Sequence, residues 1–387
     1  MEKGLFTFGN IYFAEKGKKD VECSASELIH RLSQFYNDLL RYVFRAEKTI
    51  LSAKKFSKVQ FNSSTFEYNY PDDVFLKSCY AKVNLKRNLN KIKKLLTVIL
   101  EILRYYNVKR KKREVYYKAV NVFNDQQTLD EMLKLLCIHI GCKRSWMNIF
   151  ASFKGVCYGK IALQTPDGVI DLFNPTYKAI GIPISFDNYE ITAKDFEYVL
   201  IVEKETCFYD LLSADFHTHF PNIFLVTAKG YPDYHTKEFI KNLFRMNTTA
   251  LFLYLGDFDP FGFDILTDYM FGSPLVVYEN NSLPIILPIG VSAEDVEYLD
   301  KKHMLPTTET DATKISELLQ KPYFNLPDAK VFTNDFEKVM RLKLSYIEGN
   351  LEWIRKNRLK AEIESLVCSK IDMMQYISHK IGNLIQN

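Results

Sequence analysis

The stretch that most limits what this chain can become is an uninterrupted apolar run, Ala250 to Leu255, closed by Gly256 and followed by Asp257-Phe258-Asp259-Pro260-Phe261-Gly262. Six apolar residues suit either a strand covered on both faces or a buried helix, and periodicity alone does not separate them. The punctuation does. Gly256 and Pro260 break a helix, while the aromatic and apolar residues before them favour a buried strand of a parallel α/β sheet. Asp257 and Asp259 then fall just past the strand's carboxyl end, the edge at which open α/β sheets hold ligands. An extended backbone with Phe258 between them would send both carboxylates to one side. A second run, Tyr198 to Val202, ends in Glu203-Lys204-Glu205-Thr206. Acids after strands are often helix caps or solvated turns, but a Glu at one strand end and an Asp-x-Asp at another can also line one crevice. Such a crevice suits Mg²⁺, which takes one or two carboxylates and substrate phosphate.

At 387 residues the chain is long enough for two or three domains with sizeable cores. Its net charge of +4 does not announce a nucleic-acid binder; the distribution of charge says more. The seven cysteines are scattered without a Cys-x-x-Cys pair, which argues against a disulfide framework or zinc cluster and for a reducing compartment. No signal peptide and no apolar run near the length of a bilayer span are visible, so no membrane role is expected.

In chain order, Leu28, Leu32, Phe35, Leu39 and Val43 mark an amphipathic helix in an N-terminal helical segment, 1–80. Residues 57–73 read as a loop or linker. Basic residues gather from Lys82 onward and culminate in Lys109-Arg110-Lys111-Lys112-Arg113. That block suits a nuclear-import signal, a solvated face or contacts to a phosphate backbone. Thr128, with Glu131 three residues later, predicts a capped helix stopped by Gly141. Residues 143–153 predict a second helix, and 156–163 and 169–173 two strands about a Thr165-Pro166-Asp167-Gly168 turn. Helix, turn, helix, hairpin is winged-helix order; Lys143 and Arg144 would enter a major groove, although many winged helices bind only protein. Beyond Pro183, strands alternate with helices, which implies a parallel sheet, and the chain after Asp311 reads as mostly helical. His217 and His219 read as a loop pair rather than metal ligands. No P-loop sequence is present, so ATP hydrolysis through one is not expected.

Several motifs recur together in order: Arg113-Glu114-Val115-Tyr116-Tyr117, Lys154-Gly155 with Gly159, Val202-Glu203-Lys204-Glu205, Lys229-Gly230-Tyr231-Pro232-Asp233, Gly256 to Gly262, and Lys360-Ala361-Glu362-Ile363. The set resembles the family of the topoisomerase VI A subunit, with its eukaryotic relative, the meiotic double-strand-break transesterase. The resemblance implies a CAP-like winged-helix DNA-binding domain over 81–175 carrying a catalytic tyrosine. It also implies a Rossmann-like Toprim domain with a helical C-terminal part over 185–387. Matched motif by motif, Tyr117 is the nucleophile, Arg113 assists it, and Glu203, Asp257 and Asp259 hold Mg²⁺. Lys143, Arg144, Lys154 and Lys229 would touch DNA. The implied setting is nuclear: double-stranded DNA, a homodimer whose tyrosine and acids come from different protomers, accessory recombination proteins and a B-type ATPase-like partner. Ala228 stands where the family has Gly, Lys237 where it has Arg, and Trp146-Met147-Asn148 departs from its Leu-Gly pattern.

The chemistry is consistent with these residues. A phenol, with a pKa of about 10, is a poor nucleophile unless its proton is taken or its anion stabilised. Arg113, four residues before Tyr117, lies on the same helical face and can do the latter. The expected activity is a Mg²⁺-dependent DNA transesterase that makes double-strand breaks through a 5′-phosphotyrosyl link and starts meiotic recombination. Three alternatives stay open: the A component of a type IIB topoisomerase passing strands with an ATP-dependent partner, a catalytically idle DNA-binding scaffold, and a Toprim nuclease that uses water.

Overall fold

The computed structural model describes residues 24–45, 60–69, 85–106, 109–140, 142–150, 154–165, 168–173, 179–182, 190–191, 196–273, 281–327 and 334–386. Two apolar clusters organise them. The first gathers Leu28 and Leu32 of helix Ala25–Arg45, Ile92 to Ile99 of helix Leu85–Glu101, Val115, and Leu129 to Leu136 of helix Gln126–Ile140. The second runs from Cys157 to Ile381 and takes in Phe66.

A six-stranded mixed sheet forms the frame of the second cluster, in the order Leu287–Pro288, Leu251–Leu255, Tyr198–Val202, Ile223–Thr227, Val156–Tyr158, Ile180–Gly181. The first four are mutually parallel; Val156–Tyr158 runs antiparallel to Ile223–Thr227, and Ile180–Gly181 antiparallel to Val156–Tyr158. Parallel strands buried on both faces read as continuous apolar runs, as Val199 to Val202 and Ile223 to Val226 do. Helices Glu205–Ser213, Tyr234–Met246 and Pro260–Phe271 connect them. The chain leaves the strand Tyr198–Val202 toward one neighbour and then returns to its other side, which makes the gap between Tyr198–Val202 and Leu251–Leu255 a topological switch point.

Four local expectations are corrected. Residues 60–69 are a β-hairpin, Gln60–Asn62 against Glu67–Asn69, rather than a loop; Phe61 and Phe66 anchor it by ring contacts to Phe271. The helix expected over 143–153 is one 3-10 turn, Arg144–Met147. Asn148 takes a left-handed φ of 56° there, and strand Ile149–Phe150 pairs in parallel with Arg110–Lys111. Asp125, not Thr128, caps helix Gln126–Ile140, its Oδ1 accepting the Thr128 N–H at 2.6 Å; Gly141 lies outside the described residues. Finally, Val156–Tyr158 joins the large sheet, while the hairpin about 165–168 is made of Ala162–Thr165 and Gly168–Asp171. The mixed sheet likewise amends the all-parallel expectation. Helix content after Asp311 agrees with the sequence reading: Glu309–Leu319, Asp335–Asn357, Glu364–Cys368 and Met373–Gln386. No helix among the described residues is long and apolar enough to cross a membrane.

Candidate active site

Register brings the first two acids together. Val202 pairs with Leu255, and the Glu203 N–H donates to the Leu255 carbonyl at 3.0 Å, so the residues after both strands emerge side by side. Glu203 Oε2 accepts the Asp257 N–H at 3.0 Å and the Tyr254 hydroxyl at 2.9 Å. Close approach here depends on glycine. A Cβ on Gly256 would stand 2.2 Å from the Tyr254 ring and 2.8 Å from Glu203 Oε2, and one on Gly290 would stand 2.2 Å from the Gly256 carbonyl oxygen.

Asp257 is buried and fully engaged. Its Oδ1 accepts the Ile363 N–H at 2.8 Å and its Oδ2 pairs with Lys204 Nζ at 3.0 Å. Phe258 bridges to Ala361, which fixes the loop that delivers Ile363. Lys204 also reaches Glu364 at 2.8 Å and Glu362 at 3.4 Å. Asp259 begins the next helix as its N-cap, with Oδ1 accepting the Gly262 N–H at 2.6 Å and Pro260 in the first turn.

The electrostatics follow from burial. Burial, then the charge of Glu203, pushes Asp257 up to about 8. Burial also raises Glu203, with Asp259 adding to the rise while the Asp257 N–H and the Tyr254 hydroxyl oppose it. Asp259 is raised by burial as well. Burial disfavours the Lys204 charge, but Glu364 and Asp257 outweigh it and hold the ammonium above its ordinary range. Three partly or wholly buried carboxylates, short of positive charge and all oxygen in their donors, match the chemistry of a hard divalent cation. Among the described residues, no group of three or more Asp, Glu, His or Cys side chains is already disposed to hold one. Asp259 faces its cap and Lys204 covers Asp257.

Tyr117 ends the short helix Lys112–Tyr117, with 57% of its surface exposed, while Val115 is buried. Arg113 Nε and Nη2 donate to the Tyr117 hydroxyl at 3.3 and 3.2 Å, and its guanidinium lies 5.7 Å from the ring. The Tyr116 ring packs 5.6 Å from that of Tyr117. Among the described residues, no hydrogen bond or ion pair joins Tyr117 or Arg113 to the three acids.

The four expected DNA contacts are dispersed. Lys143 and Arg144 are half-buried about the 3-10 turn. Lys154 is exposed, its N–H donating to Asp233, the cap of helix Tyr234–Met246. Lys229, at a φ of 58°, pairs with Glu205 at 2.7 Å. His217 packs edge-on to Tyr158, bonds the Ile223 carbonyl, and is lowered to about 4 by burial, the behaviour of a core histidine. Sequence reasoning gave no role to Lys204 or Tyr254. For Tyr254 a signal was present: a phenol inside an apolar run needs a partner for its hydroxyl.

Two family models match this chain. One, described as the Toprim domain of Spo11 and of the topoisomerase 6 A subunit, covers residues 198–381; the other, described as type IIB DNA topoisomerase, covers residues 87–149. Tyr117 falls in the second and all three acids in the first. The chain is 23% identical over 367 residues to the meiotic recombination protein SPO11 of Mus musculus, covering 92% of this chain and 88% of that protein. It is 29% identical over 338 residues to the A3 subunit of DNA topoisomerase 6 from Oryza sativa subsp. indica, covering 84% and 72%. Meiotic recombination protein SPO11-1 of the same rice is 28% identical over 320 residues, covering 81% and 79%.

Proposed function

On the premise that this chain belongs to the family of Spo11 and the topoisomerase 6 A subunit, we propose that it is a DNA transesterase that breaks duplex DNA through Tyr117 and starts meiotic recombination. Enzymes of this type cleave DNA, and the topoisomerase relatives imply DNA and a B-type partner. The observation that carries the reading is the meeting of Glu203 and Asp257, 54 residues apart, at the carboxyl ends of neighbouring strands.

In this reading the first apolar cluster is a winged-helix domain presenting Tyr117, and the second a Toprim domain presenting the acids. Arg113 stabilises the Tyr117 phenolate or holds the scissile phosphate by charge-assisted hydrogen bonds. The phenolic proton departs, Tyr117 Oη bonds to phosphorus, and the bond from phosphorus to the 3′ oxygen breaks. That oxygen takes up a proton as a free 3′ hydroxyl, leaving a 5′-phosphotyrosyl link of like energy. Glu203, Asp257 and Asp259 would hold Mg²⁺. When bound there, the ion supplies positive charge to the phosphate and to the departing 3′ oxygen. Because Tyr117 makes no contact with the acids of its own chain among the described residues, a homodimer in which each tyrosine serves its partner's acids completes two sites for two strands. Lys143, Arg144, Lys154 and Lys229 are the proposed DNA contacts, accessory recombination proteins the further partners, and the nucleus the place of action.

The test is duplex DNA labelled on either side of a cut, trapped with denaturant in Mn²⁺ in the presence of partner proteins. The expected result is an adduct on the 5′ side that persists in Tyr116→Phe and vanishes in Tyr117→Phe. Cleavage without an adduct, indifferent to Tyr117→Phe, would replace the transesterase by a hydrolase.

A further inference from the structure

We infer that Lys204 is the resident cation of the acid cluster, and that it gives up Asp257 for Glu362 and Glu364 when a divalent ion takes its place. This rests on the metal reading above. Asp257 has two oxygens and both are spoken for. The Ile363 N–H on Oδ1 belongs to a backbone held by the Phe258–Ala361 bridge, so Oδ1 is fixed. Lys204 Nζ on Oδ2 is at the end of a long, rotatable stem with 24% of its side chain exposed, so only Oδ2 can be released.

The loop that fixes Oδ1 also provides for the release. Glu362 and Glu364 flank Ile363, already accept Lys204 at 3.4 and 2.8 Å, and are themselves 51% and 43% exposed. The ammonium therefore loses one acceptor of three on leaving Asp257, and it keeps water access. Meanwhile Glu203 and Asp257 lie buried side by side, and among the described residues Lys204 is the cation in an ion pair with Asp257. Two carboxyl groups held this close and out of water are receptive to a larger positive charge, which favours the ionised form of both. Lys204 is thus a positioning residue: it holds Asp257 in place without the ion and sets how tightly the ion is held.

The experiment is a Mn²⁺ titration of the full chain without DNA, followed by the electron paramagnetic signal of the free ion, with circular dichroism to verify folding. Removing the competitor in Lys204→Met, and separately in Lys204→Gln, should tighten Mn²⁺ binding about tenfold, the scale on which one adjacent charge biases a carboxylate. Glu364→Gln should weaken binding several-fold on the wild-type background and leave it unchanged on Lys204→Met, a coupling that a general loss of negative charge would not produce. Glu205→Gln, the same charge change at a residue paired with Lys229 instead, should have the smaller effect and serves if the Lys204 variants do not fold. Equal or weaker binding in Lys204→Met, or equal effects of Glu364→Gln and Glu205→Gln, would overturn the exchange. Mn²⁺ binding that ignores Glu203→Gln would instead overturn the metal reading itself.

Discussion

At Asp257 a carboxylate is asked to sit in the core, beside another carboxylate, with one backbone N–H and one ammonium for company. The consequence is a pH dependence of defined sign. Its pKa rises from 3.8 in an ordinary setting to about 8. Between those values the folded chain keeps a proton that the unfolded chain has released, so stability falls as pH rises. Glu203, raised by the same burial, adds in the same direction. In chelator, thermal melts should therefore show stability dropping on the order of 2 kcal/mol from pH 5 to pH 8. Asp257→Asn should flatten that slope, and an unchanged slope would mean Asp257 is ionised throughout. Tyr254→Phe offers a second check. It leaves Glu203 Oε2 with one donor fewer and the Gly262 carbonyl without its 3.2 Å hydroxyl, which should cost about 1–3 kcal/mol by denaturant unfolding. Glu203 and Asp257 were legible because strand ends are marked by local composition. Lys204 was not, because its hydrogen-bond partner Glu364 lies 160 residues further on, at the start of helix Glu364–Cys368.

Elements meet at this site by way of glycines that sequence alone marks only as punctuation. Gly290 follows the edge strand Leu287–Pro288, and a Cβ there would lie 2.2 Å from the Gly256 carbonyl oxygen and 2.6 Å from its nitrogen. Both are backbone atoms of the turn that aims Asp257, so neither can yield without moving it. Gly290→Ala should cost about 1–3 kcal/mol, the range for overpacking, and should weaken Mn²⁺ binding along with it. Gly349, inside helix Asp335–Asn357 and facing open space, is the control: Gly349→Ala should raise stability by up to about 1 kcal/mol. The same distinction decides which elements could be read. Long amphipathic helices and apolar strands carry their own period, and Ile223–Thr227 and Leu251–Leu255 lie where composition puts them. The three-residue strands Gln60–Asn62 and Glu67–Asn69 carry none; Phe61 and Phe66 hold them by rings of the far half of the chain, including Tyr323 and Phe336. The helix expected over 143–153 failed because Met147 and Ile149 are drawn into the first core and Asn148 turns the chain between them.

For the whole molecule, the proposed nucleophile and the proposed metal-holding acids go with different apolar clusters. Tyr117 stands on the cluster built from Leu28 to Ile149, Glu203 and Asp257 on the sheet of the other. If Tyr117 and the acids act at one site, the chain completes it either with a second copy or by closing on itself, and the two predict opposite outcomes in a mixed dimer. One protomer would carry Tyr117→Phe and its partner Glu203→Gln, purified through two different tags in the presence of the partner proteins. If each tyrosine serves its partner's acids, both lesions fall in one site and the other site is wild type. The mixed dimer should then nick one strand, with one covalent adduct per dimer, while either variant alone is inert. If each tyrosine serves its own acids, each site carries one lesion and the mixture should be as inert as its parents. Nicks from the mixed dimer therefore require exchange across the twofold, and their absence, with both parents folded and DNA-bound, would return catalysis to a single chain.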